Sequence, residues 1–152
     1  MADLVITIKR SDVYEEVAKT TAYIGAKNKL EDGKSAFDQV FVTDADLAMI
    51  ERFYNESVDT LMNLLKQFIE EINDVDGNIN WKLTLSSRFD TKMESSIIRS
   101  ATSFLVNSII GKWCEITAPD KVKECADNAT ALLADIKDKV FHKSAPSRVK
   151  PQ

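Results

Sequence analysis

Apolar and polar positions follow a helical period most clearly over 43–74. There Leu47, Ile50, Phe53, Tyr54, Val58, Leu61, Leu64, Leu65, Phe68 and Ile72 recur three and four residues apart. That spacing sets them on one stripe of a helix. Thr43, with Asp46 three residues on, makes an acidic variant of the capping box, and Asp44 and Asp46 suit the positive end of the helix. No proline or glycine interrupts the stretch before a stop near Asn73. About 30 residues at 1.5 Å each predict a rod of roughly 45 Å.

Shorter patterns flank this rod. Leu4, Ile6 and Ile8 alternate with Val5 and Thr7, which predicts a strand over 4–8. Ser11 and Asp12 are candidate caps for a helix running to about residue 26, with Gly25 near its end. No period holds over 27–42, where Glu31-Asp32-Gly33-Lys34-Ser35 has turn composition, so a long loop is expected, pinned to the core by Phe37, Val40 and Phe41. A turn cluster over 73–78 precedes Ile79, Trp81, Leu83 and Leu85, which alternate with Asn80, Lys82 and Thr84 as in a strand with one buried face. The backbone groups of a lone strand need partners, so 79–85 is expected to pair with 4–8, or one or both strands with a neighbouring copy.

A third helix is expected over 91–115, carrying Ile97, Ala101, Phe104, Leu105, Ile109 and Trp113 on a stripe that widens to Val106 and Ile110. A stripe this broad implies contact on two sides. Thr117, Pro119 and Asp120 open a last helix to Phe141. Beyond it, 143–152 has no apolar period and two prolines, and is expected to be a flexible basic tail. The expected fold is therefore mainly α: a bundle of about four helices with a minor two-stranded β element, in one domain over 1–142.

Composition narrows the classes of function. At 152 residues the chain supports one core, and 44% hydrophobic against 29% charged residues excludes wholesale disorder. A net charge of −4 argues against a general nucleic-acid binder. The opening residues lack the pattern of a secretory leader, and the most apolar window, 101–113, is broken by Ser, Asn, Gly and Lys. Cys114 and Cys125 lie eleven positions apart without clustered histidines, matching neither a zinc pattern nor a disulfide framework. Reduced buried thiols are expected, with a regulatory or bridging pair as the other reading.

Candidate chemistry is sparse. The single histidine, His142, sits at the edge of the tail. Asp74 and Asp76 before Gly77 and Asn78 faintly resemble a calcium loop, but Leu85 stands where the twelfth-position glutamate belongs. Thr102, Ser103 and Ser108 lack a nucleophile elbow, and Gly33-Lys34-Ser35 lacks the upstream glycine of a phosphate loop. No catalytic, cofactor-binding or metal-ligating residue is assigned, and neither enzymatic activity nor a cofactor is expected. Trp81 and Trp113 read foremost as core anchors. Lys143, Arg148 and Lys150 are candidates for contact with an acidic surface or phosphate, or form a solvated tail.

Several stretches together carry a resemblance: VYEEVAKTTAYIGAK over 13–27, TDAD over 43–46, IERFYNE over 50–56, RFD over 88–90, FLVNSIIGKW over 104–113 and FHKSAPSR over 141–148. They resemble small uncharacterised proteins of phages and prophages of Bacteroides-type bacteria, which in turn look like head–tail connector (adaptor, neck ring) proteins. The resemblance implies a virion protein assembled in the host bacterial cytoplasm. Its implied partners are its own copies in a head-to-tail ring, the portal, and adjacent neck or tail proteins, with no membrane and no sequence-specific nucleic acid. Surplus apolar flank on the two long helices, open strands at 4–8 and 79–85, and Lys143, Arg148, Lys150 and Trp81 are the expected contacts. The competing class is a small non-catalytic phage-encoded binding or regulatory protein that is absent from the particle.

Overall fold

The computed structural model describes residues 2–27 and 46–144. Strand β1 (Ala2–Ile8) leads into helix α1 (Arg10–Lys27). Then follow α2 (Leu47–Leu65), β2 (Ile69–Ile72), β3 (Ile79–Leu85), α3 (Glu94–Thr117) and α4 (Val122–Phe141). Short 3-10 turns, Thr91–Met93 and Pro119–Lys121, precede the last two helices. The class is mainly α, as expected, with four helices among the described residues. The sheet, however, has three antiparallel strands in the order β1-β3-β2, not two.

The third strand comes from the end of the stretch read as one rod. Helix α2 stops at Leu65 after 19 residues, roughly 28 Å at 1.5 Å per residue. Phe68, Ile69 and Ile72 suit either period over so short a span, and β-branched Ile69 and Ile72 favour the extended form. Strand β3 decides the matter, because its second edge would otherwise stay unpaired. Ile69 pairs with Leu83 and Ile72 with Trp81, around a bulge between Ile69 and Glu71. Thr84 N donates to Phe68 O at 2.8 Å and Asn73 N to Asn80 O at 2.8 Å.

Two expected helix starts also change, and a third falls partly outside the described residues. Thr43 and Asp44 lie outside the described residues, as do Phe37, Val40 and Phe41. Asp46 does occupy the cap position of α2, but its side chain makes no capping hydrogen bond. Ser11 and Asp12 lie inside α1, whose first amide, Arg10 N, donates to Asn78 Oδ1 at 2.9 Å. The cap thus comes from 68 residues away. Thr117 closes α3, its hydroxyl donating to Trp113 O at 3.1 Å, and Ala118 takes the cap position of the following turn.

The core lies between the sheet and the helices. Leu4, Ile6 and Ile8 stand opposite Leu83, Trp81 and Ile79, all buried on one face because side chains alternate across a strand. Helix α3 packs against α1, α2, α4 and β1, burying Ile97, Ala101, Phe104, Leu105, Ile109, Ile110 and Trp113. The broad stripe on this helix is therefore covered by its own chain.

The β2–β3 hairpin ties this sheet to two helices. Asp76 (φ 54°) and Gly77 (φ 79°) both have positive φ, the mirror-image turn that suits strand twist and that Asp-Gly favours. Gly77 O accepts from the buried Tyr54 hydroxyl of α2 at 2.6 Å, while Asn78 caps α1. Burial pushes the Tyr54 phenol up to about 12. Tyr14 of α1 meets Tyr54 edge-on with ring centroids 5.7 Å apart.

Two substitutions test this tie by urea unfolding. Asn78→Ala removes a helix cap and lowers stability by about 1 kcal/mol. Gly77→Ala places a Cβ at positive φ and costs about 1–2 kcal/mol. Midpoints equal to that of the parent protein for both variants would show that the turn holds neither helix.

Candidate assembly surfaces

Strand β3 has neighbours on both edges, so 79–85 is not open to a neighbouring copy, contrary to one of the expectations above. The free edges among the described residues belong to β1 and β2, and they are unlike. Strand β1 is seven residues long and pairs in unbroken register from Ala2↔Leu85 to Ile8↔Ile79. It contains no proline or bulge, and Asp3, Val5 and Thr7 are exposed. Strand β2 has four residues, a bulge and exposed Glu70 and Glu71. Short, bulged, charged edges resist pairing, whereas long regular ones invite it.

The solvent face of the sheet is polar. Thr84 Oγ1 donates to Glu70 Oε2 at 2.6 Å and Lys82 Nζ lies 3.8 Å from the same oxygen. The Thr84 hydrogen bond, then the Lys82 charge, hold Glu70 below the usual carboxylate range. Apart from Val5 on that face, the exposed apolar side chains lie elsewhere: Leu47 and Met49 at the start of α2, Ile72 and Val75 at the hairpin, Tyr23 on α1, Ile116 at the end of α3 and Phe141 at the end of α4.

The expected contact residues are distributed unevenly. Trp81 is fully buried on the central strand, its indole N–H 3.4 Å from Asp74 Oδ2. In this fold it is a core anchor, and its ring is not offered to a partner. Lys143 is exposed and its backbone bridges to Phe89. The next residue is tied as well: Ser144 N donates to Arg88 O at 2.7 Å and Arg88 Nη2 to Ser144 O at 3.1 Å. Pairing thus extends two residues past the boundary expected at 142. Arg148 and Lys150 lie outside the described residues. His142 Nε2 lies 3.5 Å from Asp90 Oδ2, a contact that brings the end of α4 to the start of the turn before α3.

Open grooves run along α3. One of about 610 Å³ is lined by Glu16, Ile98, Arg99, Thr102, Ser103 and Val106; another, of about 480 Å³, by Asn128, Ala131, Leu132 and Asp135 among others. Among the described residues, no group of three His, Cys, Asp or Glu side chains is placed to hold a metal ion. None of the described helices is long and apolar enough to cross a membrane.

Two clamps brace the helices where they face water. Glu56 of α2 accepts from Lys112 of α3 at 2.9 Å and from Arg52 at 3.2 Å. Asp135 of α4 accepts from Ser100 of α3 at 2.8 Å and pairs with Lys139. Both carboxyls sit below their ordinary values, Glu56 through the Lys112 and then the Arg52 hydrogen bond, Asp135 through Lys139 and then Ser100. Such groups stabilise the fold fully above the ordinary values, 4.5 and 3.8, and lose that contribution as pH falls through the lower folded values.

Compared with known proteins, the chain matches no family model, no curated protein and no solved structure. The clamps yield a pH prediction. The double variant Glu56→Gln, Asp135→Asn should lose less stability than the parent between neutral and strongly acid pH in urea titrations. An acid limb of unchanged slope would mean that the clamps carry no linked stability.

Proposed function

We propose that this chain is a structural virion protein of a tailed phage, a head–tail connector or neck ring subunit that bridges portal and tail. It works by assembly and not by catalysis. The observation that supports this most is the pair of unlike free edges on one sheet. A ring needs two different faces on each subunit, because head-to-tail contacts close into a cycle whereas identical faces make dimers. The regular edge of β1 is open to backbone hydrogen bonding with a different surface of the next copy, while the blunted edge of β2 stays out of the joint.

The exposed apolar side chains at the start of α2 and at the β2–β3 hairpin suit contact with a second kind of protein, the portal or an adjacent neck component. Lys143, Arg148 and Lys150 add positive charge near the end of the chain, able to meet an acidic partner surface. The sequence resemblance to phage and prophage proteins supports the same lineage.

Quantitative mass spectrometry of purified phage particles tests the reading. The chain is expected in the particle at a copy number matching the other neck rings. Its absence from particles while abundant in infected cells would overturn the proposal in favour of a non-virion binding or regulatory protein. A second expectation concerns the isolated protein: light scattering after size exclusion should give a monomer or a weak, concentration-dependent oligomer that assembles on added portal. A tight closed dimer would contradict a head-to-tail joint.

A further inference from the structure

Cys114 lies near the end of α3 and Cys125 in the first turns of α4, both free and buried. The helices approach closely here because residue 111 is glycine: a Cβ built on it would stand 3.3 Å from Cys125 Cβ. Cys114, one turn beyond Gly111, shares that face. The two thiols are near enough to perturb one another. The two thiols differ in access. Cys125 is 8% exposed and Cys114 fully buried. Cys125 also lines two shallow openings, one of about 200 Å³ with Ser108, Lys112 and Glu115, the other of about 270 Å³ with Tyr23, Ile110 and Lys121.

We propose that Cys125 and Cys114 form a modification site at which a peroxide closes a reversible disulfide, Cys125 reacting first and Cys114 resolving it. The Cys125 thiolate attacks one oxygen of hydrogen peroxide. The O–O bond breaks, and the departing hydroxide takes up the proton that Cys125 had released, leaving as water. The sulfur is oxidised to a sulfenic acid. The Cys114 thiol then attacks that sulfur, forming the S–S bond, while its proton and the sulfenic hydroxyl leave as a second water. Overall two thiols and one peroxide become one disulfide and two waters.

The division of labour follows from placement, since Cys125 lines both openings and Cys114 lines neither, and the reach follows from the close approach of the helices at Gly111. The neighbouring Cys114 thiol, and then the Lys121 charge, lower the Cys125 thiol against burial and the Glu124 charge. The same contact, then burial, push Cys114 up. The less buried thiol, at the openings, is the one a small peroxide meets first. The bond would fasten the end of α3 to α4 across the Pro119–Lys121 turn, fixing the segment that presents exposed Ile116. This inference does not depend on the proposed function.

The test treats the full chain with hydrogen peroxide and follows intact mass and peptide maps. The expected result is a monomer that has lost two hydrogens, a linked Cys114–Cys125 peptide pair, and full reversal by dithiothreitol. In Cys114→Ser, dimedone should trap a sulfenic acid on Cys125. Two thiols that remain alkylatable after peroxide, a disulfide between chains, or dimedone found on Cys114 in Cys125→Ser at the same rate would each overturn the proposal. Peptide maps of the unsubstituted protein decide the pairing even if a variant fails to fold.

Discussion

The fold depends on the need to cover α3 on several sides at once. Its apolar residues spread over too wide an arc for a single neighbour, so α1, α2, α4 and β1 all close on it. Its small and polar residues make this possible. Gly111 lets α4 approach. Ser108 meets the hydroxyl of Ser57 at 2.8 Å, while Ser57 itself donates to Phe53 O at 2.8 Å, so a polar group buried in α2 is satisfied without water. Truncating a fully buried side chain at this centre, such as Leu105, would open a cavity facing several elements at once, the costly kind of core loss.

The sheet answers the same need from the other side. Trp81 and its neighbours on β3 need a buried face, and the strand's two edges need hydrogen-bond partners. One partner comes from the start of the chain and the other from the residues after α2, which leave the helical path to supply it. The hairpin turn then closes the arrangement, because Gly77 O and Asn78 Oδ1 take donors from α2 and α1. Local turn chemistry at two residues thus fixes the relation of three elements.

Much of this was legible in the sequence. The broad stripe of α3 implied contact on two sides, and the alternation at 79–85 and 4–8 implied strands with one buried face. The end of α2 was not legible. Leu64, Leu65, Phe68 and Ile72 keep helical spacing, and only the unpaired edge of β3, a long-range demand, turns residues 69–72 into a strand. Remote caps escape local reading for a similar reason: Ser11 and Asp12 offered a nearby cap, but Asn78 supplies the acceptor. Because the third strand was hidden, so was the pair of free edges on which the functional reading rests. The indole of Trp81 was legible as core from its place on the buried face. Asp-Gly in the turn cluster was a visible signal for the hairpin that the helical reading of 43–74 obscured.

A sheet with two dissimilar borders, a helical body that covers its own widest stripe, and apolar side chains left exposed at the start of α2 and at the hairpin are the features on which the proposed assembly rests. The account turns on the joint between copies. An electron-microscopy reconstruction of the phage neck, at a resolution that traces strands, tests it most directly. The expected result is a ring in which the β1 edge of each copy meets a different surface of the next copy. Density for this chain with copies paired by a two-fold axis through β1, or a neck without the chain, would contradict it.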